Sequence, residues 1–352
     1  MVTIRISESV EELELEEETN KGQCFLCGSL QYMVYHTNIA IIIFLLISSS
    51  IYSQETDFIT TKYVKVGYDY TLPNDAIDTF IYIRTNDVAE VSKMLQGRNK
   101  VKAFVIQSTV LTSELMDTIL SREFCELYID NTYITDATAL FENLIFQREL
   151  RVLYFRLCNL YEIPEEACCL KKLQRLEINY CVIDILPAYL SGLNHLKYLG
   201  VRNSHLRKVS DDFINPNIIV LDVSSNNFYN GFPFAICNLS NLECLDYSFN
   251  TSYPEGDCNI EYLENLHEIN LRGCGLKEFP SCLLSLPNLE CLYLGANRIE
   301  NFPEDSIKLS KLKFLEFYGE SYKNNKEKVD AFRGKAGSDM IIDTFELPDN
   351  WW

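Results

Sequence analysis

The stretch Leu289-Glu-Cys-Leu292-Tyr-Leu294-Gly-Ala-Asn297-Arg-Ile299, followed by Phe302-Pro303, contains the pattern that decides the fold. The pattern begins with an apolar residue, which is followed by two free positions, a second apolar residue, one free position and a third apolar residue. It then leads to an asparagine. The same frame starts at Leu266 and ends at Phe279-Pro280. A pattern that returns at a fixed period of about 20–50 residues indicates a repeat architecture, because each copy needs its neighbours to bury its apolar face.

The frame recurs every 22 to 26 residues between about residue 78 and residue 320. Its first apolar residue, the anchor, is found at Leu150, Leu173, Leu196, Ile218, Leu242, Leu266, Leu289 and Leu312, with weaker copies upstream at Val101 and Phe124. In five copies an apolar residue precedes a proline that lies nine residues before the next anchor, at Ile163-Pro164, Leu186-Pro187, Phe232-Pro233, Phe279-Pro280 and Phe302-Pro303. In these two motifs the chain resembles the leucine-rich-repeat family, in its form of about 23 residues per repeat. Within that family it resembles an exported, bacterial-like member.

The resemblance implies an α/β repeat fold, the leucine-rich-repeat solenoid, which is a curved horseshoe. The residues point the same way, since the alternation in each copy predicts a short strand with one apolar face. Stacking of about ten or eleven copies would join these strands into a long parallel sheet on the concave face. The convex segments are predicted to be irregular, 3-10 or short helical.

The position after the strand is predicted to form a buried ladder of small polar or thiol side chains. Asparagine suits this position because its amide both donates to and accepts from backbone groups where the chain leaves the strand. The predicted ladder residues are Asn86, Cys158, Cys181, Asn226, Asn250, Cys274 and Asn297.

The ends of the chain depart from the repeat. Residues 39–47 are apolar and are followed by small polar residues, which is typical of a secretory signal, with cleavage expected near Ser53. The acidic residues 1–32 do not fit such a signal, and a start at Met33 would give a more ordinary one. We therefore predict an N-terminal extension with a signal-like segment at residues 1–53, an N-terminal cap at 54–77, repeats at 78–320 and a C-terminal cap or tail at 321–352. A short uncleaved anchor or a buried apolar segment is the alternative for residues 39–53.

The cysteines give mixed evidence about the compartment. Eleven of the thirteen follow Ser53, and they show no overall pairing scheme, which argues against a disulfide-framework protein. Cys258 and Cys282 lie sixteen residues after the anchors of adjacent copies, so they could form a disulfide if both coils follow the same path. The signal predicts an exported protein (periplasmic, at the cell surface or secreted), without stable membrane insertion after cleavage. The thiols favour the cytoplasmic alternative.

Catalytic signatures are missing from the sequence. There is no phosphate-binding glycine loop, no zinc-protease motif and no nucleophile elbow. Cys24 and Cys27 have the spacing of metal ligands, but no further ligands lie nearby. We therefore expect no enzyme, no cofactor and no metal. The net charge of −19 also argues against nucleic acid, which requires a basic surface.

The solvent-facing positions of the strands are the predicted working surface. Tyrosine and arginine, which are frequent in binding hot spots, occupy many of these positions. The candidate binding residues form two patches with Arg202 between them: Tyr128, Tyr154, Arg156 and Tyr180, and then Phe249, Arg272, Tyr293 and Tyr318. The carboxylates of Glu177, Asp222 and Asp246 lie among them and favour a basic partner.

Three functional hypotheses follow. The first is a non-catalytic module that binds another protein through the concave face. The second is an intracellular scaffold or regulatory subunit of an enzyme, and the third is the binding of a carbohydrate or another small ligand. The sequence leaves the partner's identity and the oligomeric state open.

Overall fold

The computed structural model describes residues 80–228, 231–250, 260–336 and 340–344. They lie within one unit of the chain, Pro73–Trp352. The predicted signal at residues 39–53 and the predicted N-terminal cap at 54–77 lie outside the described residues. The domain boundaries stay predictions.

Twelve strands in the described part of the chain form one sheet in which every neighbouring pair is parallel. In spatial order they are β1 (Phe80–Ile83), β2 (Lys100–Gln107), β4 (Glu123–Asp130), β6 (Val152–Arg156), β7 (Arg175–Asn179), β9 (Tyr198–Gly200), β11 (Val220–Asp222), β12 (Cys244–Asp246), β13 (Glu268–Asn270), β14 (Cys291–Tyr293), β15 (Phe314–Glu316) and β16 (Ile341–Asp343). Two small parallel pairs flank it, namely β3 (Val110–Leu111) with β5 (Tyr133–Ile134), and β8 (Ile185–Leu186) with β10 (Lys208–Val209). The predicted solenoid with a long parallel sheet is confirmed.

The buried residues are those of the repeat frame. The anchors from Leu150 to Leu312 are at most 5% exposed, and the third apolar residue of each copy, from Ile83 to Phe317, is at most 1% exposed. All of these side chains belong to one continuous core. The hydrophobic effect of burying them stabilises the stack of coils, since one coil alone cannot exclude water from its apolar face.

The segments that return on the convex side change character along the chain. The first three are α-helices: α1 (Val88–Met94), α2 (Ser113–Leu120) and α3 (Ala137–Leu144). Each is capped by a side chain of Asp87, Thr112 or Asp136, which accepts hydrogen bonds from backbone N–H groups of the first turn. The later segments are short 3-10 turns, and those that follow the apolar-proline motif start directly after its proline, as in Glu165–Cys169.

From β2 to β15, each coil of the sheet leaves its strand through a residue with positive φ, at the position just before the ladder. We call these residues the left-handed column; they are Ser108, Asn131, Leu157, Tyr180, Asn203, Ser225, Phe249, Gly273, Ala296 and Gly319, with φ between 45° and 71°. This conformation is natural for Gly and tolerated by Asn, but it costs other L-residues about 1–2 kcal/mol. Leu157, Tyr180 and Phe249 are therefore costly choices at this position.

A helix covers the core after the last copy of the frame. Helix α4 (Glu320–Ala336) buries Tyr322, Val329 and Phe332 against the last coil. Its Ser321 hydroxyl and Asn325 side-chain carbonyl accept the backbone N–H groups of Ile299 and Phe302, at 2.8 and 2.7 Å. After α4 the chain adds β16 to the sheet beside β15.

Candidate functional site

The solvent-facing side of the twelve-stranded sheet, which we call the concave face, presents every second side chain of each strand. Because the strands are in register, residues at the same position of neighbouring coils stand about 4.8 Å apart and form columns across the face. Tyr128 pairs with Tyr154, for example, and Asp222 with Asp246. A ligand on this face therefore meets columns of side chains, one from each coil.

The first predicted patch comes together on β4, β6 and β7. The ring centroids of Tyr128 and Tyr154 are 5.9 Å apart, with the rings tilted by 47°. The Arg156 guanidinium lies 5.9 Å from the centroid of the Tyr180 ring and 3.6 Å from an Asp130 carboxylate oxygen. Tyr154 and Arg156 are half-buried rather than fully solvent-facing. Burial, and then the charge of a nearby glutamate, raise the pKa of Tyr154, so its hydroxyl stays protonated at neutral pH.

The second predicted patch depends on two glycines that leave room for aromatic rings. A Cβ at Gly273 would stand 2.6 Å from a carbon of the Phe249 ring, so this ring lies over the next coil. A Cβ at Gly295 would stand 2.3 Å from the Tyr318 ring. Tyr293 packs against the ring of Phe314, with 5.1 Å between the centroids. The missing side chains of the two glycines thus leave the space that the rings of Phe249 and Tyr318 occupy.

Arg272 is a structural member of this second patch. Its guanidinium forms two hydrogen bonds to the Glu316 carboxylate, one of them from Nε at 2.9 Å. The pair spans β14, and after this strand the backbone N–H of Gly295 donates to the same carboxylate at 3.1 Å. Both charged side chains are largely buried. The pair therefore fixes the positions of its two side chains on the concave face before any ligand binds.

Arg202 joins carboxylates between the two patches. Its guanidinium lies 3.4 Å from Glu177 and 3.4 Å from Asp222, and Glu177 is also held by Arg175 at 2.5 Å. The negative charge of Asp222 raises the pKa of Arg202, so the guanidinium stays protonated. These contacts fix the central side chains in a network that crosses three coils.

Asp222 and Asp246 are neighbours on β11 and β12, on the central part of the concave face. Burial is the main cause that raises the pKa of Asp222 to about 6, and the charge of Asp246 adds to it, against the opposing effect of Arg202. Each carboxylate accepts from the backbone N–H and the hydroxyl of the serine two residues later, Ser224 or Ser248. Asp246 also accepts from Asn270 at 3.1 Å. No lysine or arginine of the described residues lies within 4.0 Å of the Asp246 carboxylate, which leaves this part of the floor negative.

One column of the face was missed by the sequence analysis. It lies two residues before the column of Tyr154 and includes Arg175, Tyr198 and Glu268. The Arg175 guanidinium stands 4.2 Å from the centroid of the Tyr198 ring. The same period of two that located Tyr154 could have located these residues, but the apolar members of the column, such as Val152, resemble core positions.

The ladder contains six of its seven predicted members. Asn226, Asn250 and Asn297 each donate from Nδ2 to a backbone carbonyl of the preceding coil, at 2.5, 3.0 and 2.9 Å. The thiols of Cys158, Cys181 and Cys274 occupy the same column and point at backbone carbonyls, at 3.3 to 3.5 Å.

Asn86 does not join the ladder. It is exposed, because the chain turns directly into helix α1, whose first turn is capped by the neighbouring Asp87.

The buried ladder thiols of Cys181 and Cys274 are not activated as nucleophiles. Burial raises the pKa of Cys181 and of Cys274 to about 12, so neither forms the thiolate that a nucleophile requires. Within the ranges that the structure covers, no three potential metal ligands cluster. Nor does any helix there have the length and apolar character needed to cross a bilayer.

Cys282 is disulfide-bonded. Its predicted partner Cys258 lies outside the described residues, so the pairing stays a prediction. Nine other cysteines of the described part do not form a disulfide.

Comparison with known proteins identifies relatives that the chain covers only in part. No model of a protein family matches it. Toll-like receptor 7 of Mus musculus is 28% identical over 176 residues, and the match covers 47% of this chain and 16% of the receptor. Receptor-like protein 35 of Arabidopsis thaliana is 28% identical over 204 residues, and the match covers 48% of this chain and 21% of that protein. The chain thus matches less than a quarter of the length of either relative.

Two solved structures show the same fold. The internalin InlF of Listeria monocytogenes superposes with a TM-score of 0.52 at 17% identity, covering 71% of this chain and 74% of the internalin. TLR13, in its complex with ssRNA13, superposes with a TM-score of 0.52 at 22% identity, covering 67% of this chain and 38% of the receptor. The repeat frame, the stacked parallel strands and these similarities together show that the chain has the fold of a leucine-rich-repeat solenoid.

Proposed function

We propose that this chain is a non-catalytic binding module that holds another protein on its concave face. The observation that carries the proposal is the pair of aromatic and arginine patches on neighbouring strands, around Tyr128 and Tyr154 on one side and around Phe249 and Tyr293 on the other. Aromatic and arginine side chains dominate the hot spots of protein interfaces. On the concave face they are presented by a sheet that cannot rearrange without breaking the core.

The arginine side chains of the concave face are fixed in position by ion pairs, and this supports a role in binding. Arg202 is held by Glu177 and Asp222, and Arg272 is held by Glu316. Side chains that are already fixed lose little conformational entropy when a partner arrives, so modest contacts suffice for useful affinity. This rigidity favours a preformed interface over one that folds on binding.

The charge of the face supports a partner with basic groups. Carboxylates outnumber guanidinium groups on the described strands, and the Asp246 carboxylate is hydrogen-bonded with no described lysine or arginine within 4.0 Å. The chain as a whole carries a net charge of −19, which attracts basic partners over distances of about 10 Å and repels nucleic acid. Complementary charge would raise the association rate more than the affinity.

Export is part of the proposal. The signal-like segment at residues 39–53 and the disulfide at Cys282 support an oxidising compartment. The nine described cysteines that do not form a disulfide support the second candidate, an intracellular repeat scaffold. Sequencing the N-terminus of the natural protein distinguishes the two, because cleavage near Ser53 is expected only on export.

The binding proposal is tested with matched tyrosine variants on opposite sides of the solenoid. A partner is first cross-linked to the parent chain in an extract of the native host and purified. Tyr154→Ala combined with Arg156→Ala should then abolish its capture, whereas Tyr262→Ala, on the convex side, should not. Tyr262 is 65% exposed in a convex 3-10 turn, so its removal controls for the loss of a surface tyrosine. Equal capture by both variants would exclude the concave face.

A further inference from the structure

Two consecutive cysteines end the first convex turn that follows the apolar-proline motif. Cys168 and Cys169 are the last residues of the 3-10 turn Glu165–Cys169, and their sulfur atoms lie 3.8 Å apart. The Cys169 side chain is exposed, whereas Cys168 is half-buried. The pair is therefore within reach of a reagent in solution, on the side of the solenoid away from the concave face.

A lysine is held beside this pair. The Lys171 ammonium donates to the backbone carbonyl of Gly192, on the next coil, at 3.0 Å. A Cβ at Gly192 would stand 3.3 Å from that ammonium and 3.8 Å from the Cβ of Cys168, so the lysine and the cysteine border the same space. The positive charge of Lys171 stabilises a thiolate that forms in this space.

The two sulfurs differ in their access to solvent. Burial, and then the contact with Cys169, raise the pKa of the Cys168 thiol, and the charge of Lys171 opposes this rise. Cys168 is therefore protonated and partly shielded at neutral pH. Cys169 is exposed, so it is the sulfur that a reagent meets first.

The sulfurs are near enough to form a bond with a small change in the turn. A disulfide has about 2.05 Å between its sulfurs, so the present 3.8 Å must shorten by less than about 2 Å. The Cys169 side chain is exposed, so it can rotate toward Cys168 without displacing the core. Closure is therefore within the range of side-chain motion.

A disulfide between consecutive residues is strained. A trans peptide holds their Cα atoms about 3.8 Å apart, below the range of about 4.4–6.8 Å that disulfides usually span. Strain makes such a bond easier to reduce. The closed form should therefore return to the dithiol under conditions that leave the disulfide of Cys282 intact.

We propose that Cys168 and Cys169 are a redox-active dithiol, which a low-molecular-weight disulfide such as glutathione disulfide reversibly converts into a disulfide between the two neighbours. The pair lies on a convex turn, so this inference is independent of the binding function proposed for the concave face, and each can fail without the other.

The exchange has two steps and consumes one molecule of glutathione disulfide. The Cys169 thiolate attacks one sulfur of the reagent, which forms a mixed disulfide and releases one glutathione thiolate. The Cys168 sulfur then attacks the Cys169 sulfur, which forms the bond between the two cysteines and releases the second glutathione. The two protein sulfurs are oxidised, the two reagent sulfurs are reduced, and the protons of both cysteine thiols end on the two glutathione molecules.

Mass spectrometry of the full chain tests the closure. The protein is reduced, freed of reductant, incubated with glutathione disulfide, quenched with acid and labelled with N-ethylmaleimide in denaturant. Cleavage after lysine, arginine and glutamate releases residues 167–171, whose two cysteines are Cys168 and Cys169. We expect this peptide to be lighter by two hydrogen atoms and to carry neither label nor glutathione. A peptide with two labels, or with glutathione on Cys169 and label on Cys168, would overturn the closure.

Matched variants assign the two sulfurs. Cys168→Ser removes the second step, so Cys169 should keep its glutathione. Cys169→Ser removes the accessible sulfur, so Cys168 should take up glutathione at least about tenfold more slowly. Cys237→Ser is the control, because Cys237 has the same place in the later convex turn Phe234–Asn238, and it should leave closure unchanged. Equal rates of uptake by Cys168→Ser and Cys169→Ser would overturn the assignment of Cys169 as the point of attack.

Reduction tests the strain. The closed protein is incubated with increasing concentrations of reduced glutathione, and residues 167–171 should recover both labels at a concentration at which Cys282 still takes up none. Recovery of label at Cys282 first would overturn the reversible character of the pair. Two chains joined on a non-reducing gel, and separated by Cys169→Ser, would place the bond between two copies and overturn the proposal.

Discussion

Replacing Gly295 by alanine tests how tightly the floor of the concave face is packed. A Cβ at this position would stand 2.1 Å from a Glu316 carboxylate oxygen and 2.3 Å from the Tyr318 ring. The conflict arises from space alone, since Gly295 is not among the residues with positive φ. Glu316 cannot stay in place, and its hydrogen bond from the Gly295 N–H is lost with it.

The magnitude follows from what Glu316 holds. Its side chain is 3% exposed and pairs with Arg272, whose side chain is 13% exposed. Deleting one partner of a buried ion pair costs about 3–5 kcal/mol, and overpacking a core costs about 1–3 kcal/mol. Gly295→Ala keeps both charges, and the displaced carboxylate can turn toward solvent at the open face. We therefore expect a loss of about 2–3 kcal/mol in the free energy of unfolding.

Urea unfolding followed by circular dichroism measures this change, and Gly334→Ala is the matched control. A Cβ at Gly334, within helix α4, meets no atom within 4 Å. The same substitution there should stabilise the helix by about 0.5–1 kcal/mol. If Gly295→Ala unfolds at the urea concentration of the parent, Glu316 does not lie over Gly295, and the packing described for this patch is incorrect.

Three further predictions concern the floor, the ladder and the thiols. Burial raises the pKa of Asp222 from 3.8 to about 6, so the folded state holds a proton that the unfolded state releases. The contribution of Asp222 to the free energy of unfolding should therefore fall by about 3 kcal/mol as pH rises from about 4 through about 6, and the difference in urea unfolding between the parent and Asp222→Asn across this range should show it. Asn250→Ala leaves several buried backbone groups unpaired and should cost about 3 kcal/mol or more in urea unfolding, against about 0.5 kcal/mol or less for the exposed Asn227→Ala; equal losses would contradict the ladder. In a thiol-reagent titration, the exposed Cys169 should react in the native protein, the ladder thiols only after unfolding and Cys282 only after reduction; reaction of Cys282 in unfolded, unreduced protein would exclude its disulfide.

The sequence predicted the architecture because its pattern is redundant. Each copy repeats the same apolar positions, so an error in one copy, as at the weak anchor Val101, does not change the period. The positions of Tyr128, Tyr154, Arg156 and Tyr180 on one surface follow from the same alternation.

What the sequence did not predict depends on three-dimensional contacts between coils. The pairing of Arg272 with Glu316 skips a whole coil and requires a glycine in between, which no local pattern encodes. The exposure of Asn86 depends on the cap of helix α1, where Asp87 competes for the backbone groups. The left-handed column was hidden because its residues share no side-chain chemistry, only a backbone conformation.

The central claim is that the concave face is the surface that binds a partner. The most direct measurement is the dissociation constant of the purified native partner for the parent, for Tyr154→Ala with Arg156→Ala, and for the convex variant Tyr262→Ala. With all three chains folded by circular dichroism, we predict a loss of about tenfold or more for the concave variant and an unchanged constant for the convex one. An unchanged constant for the concave variant together with a loss for Tyr262→Ala would place the binding surface on the opposite side of the solenoid and contradict the account.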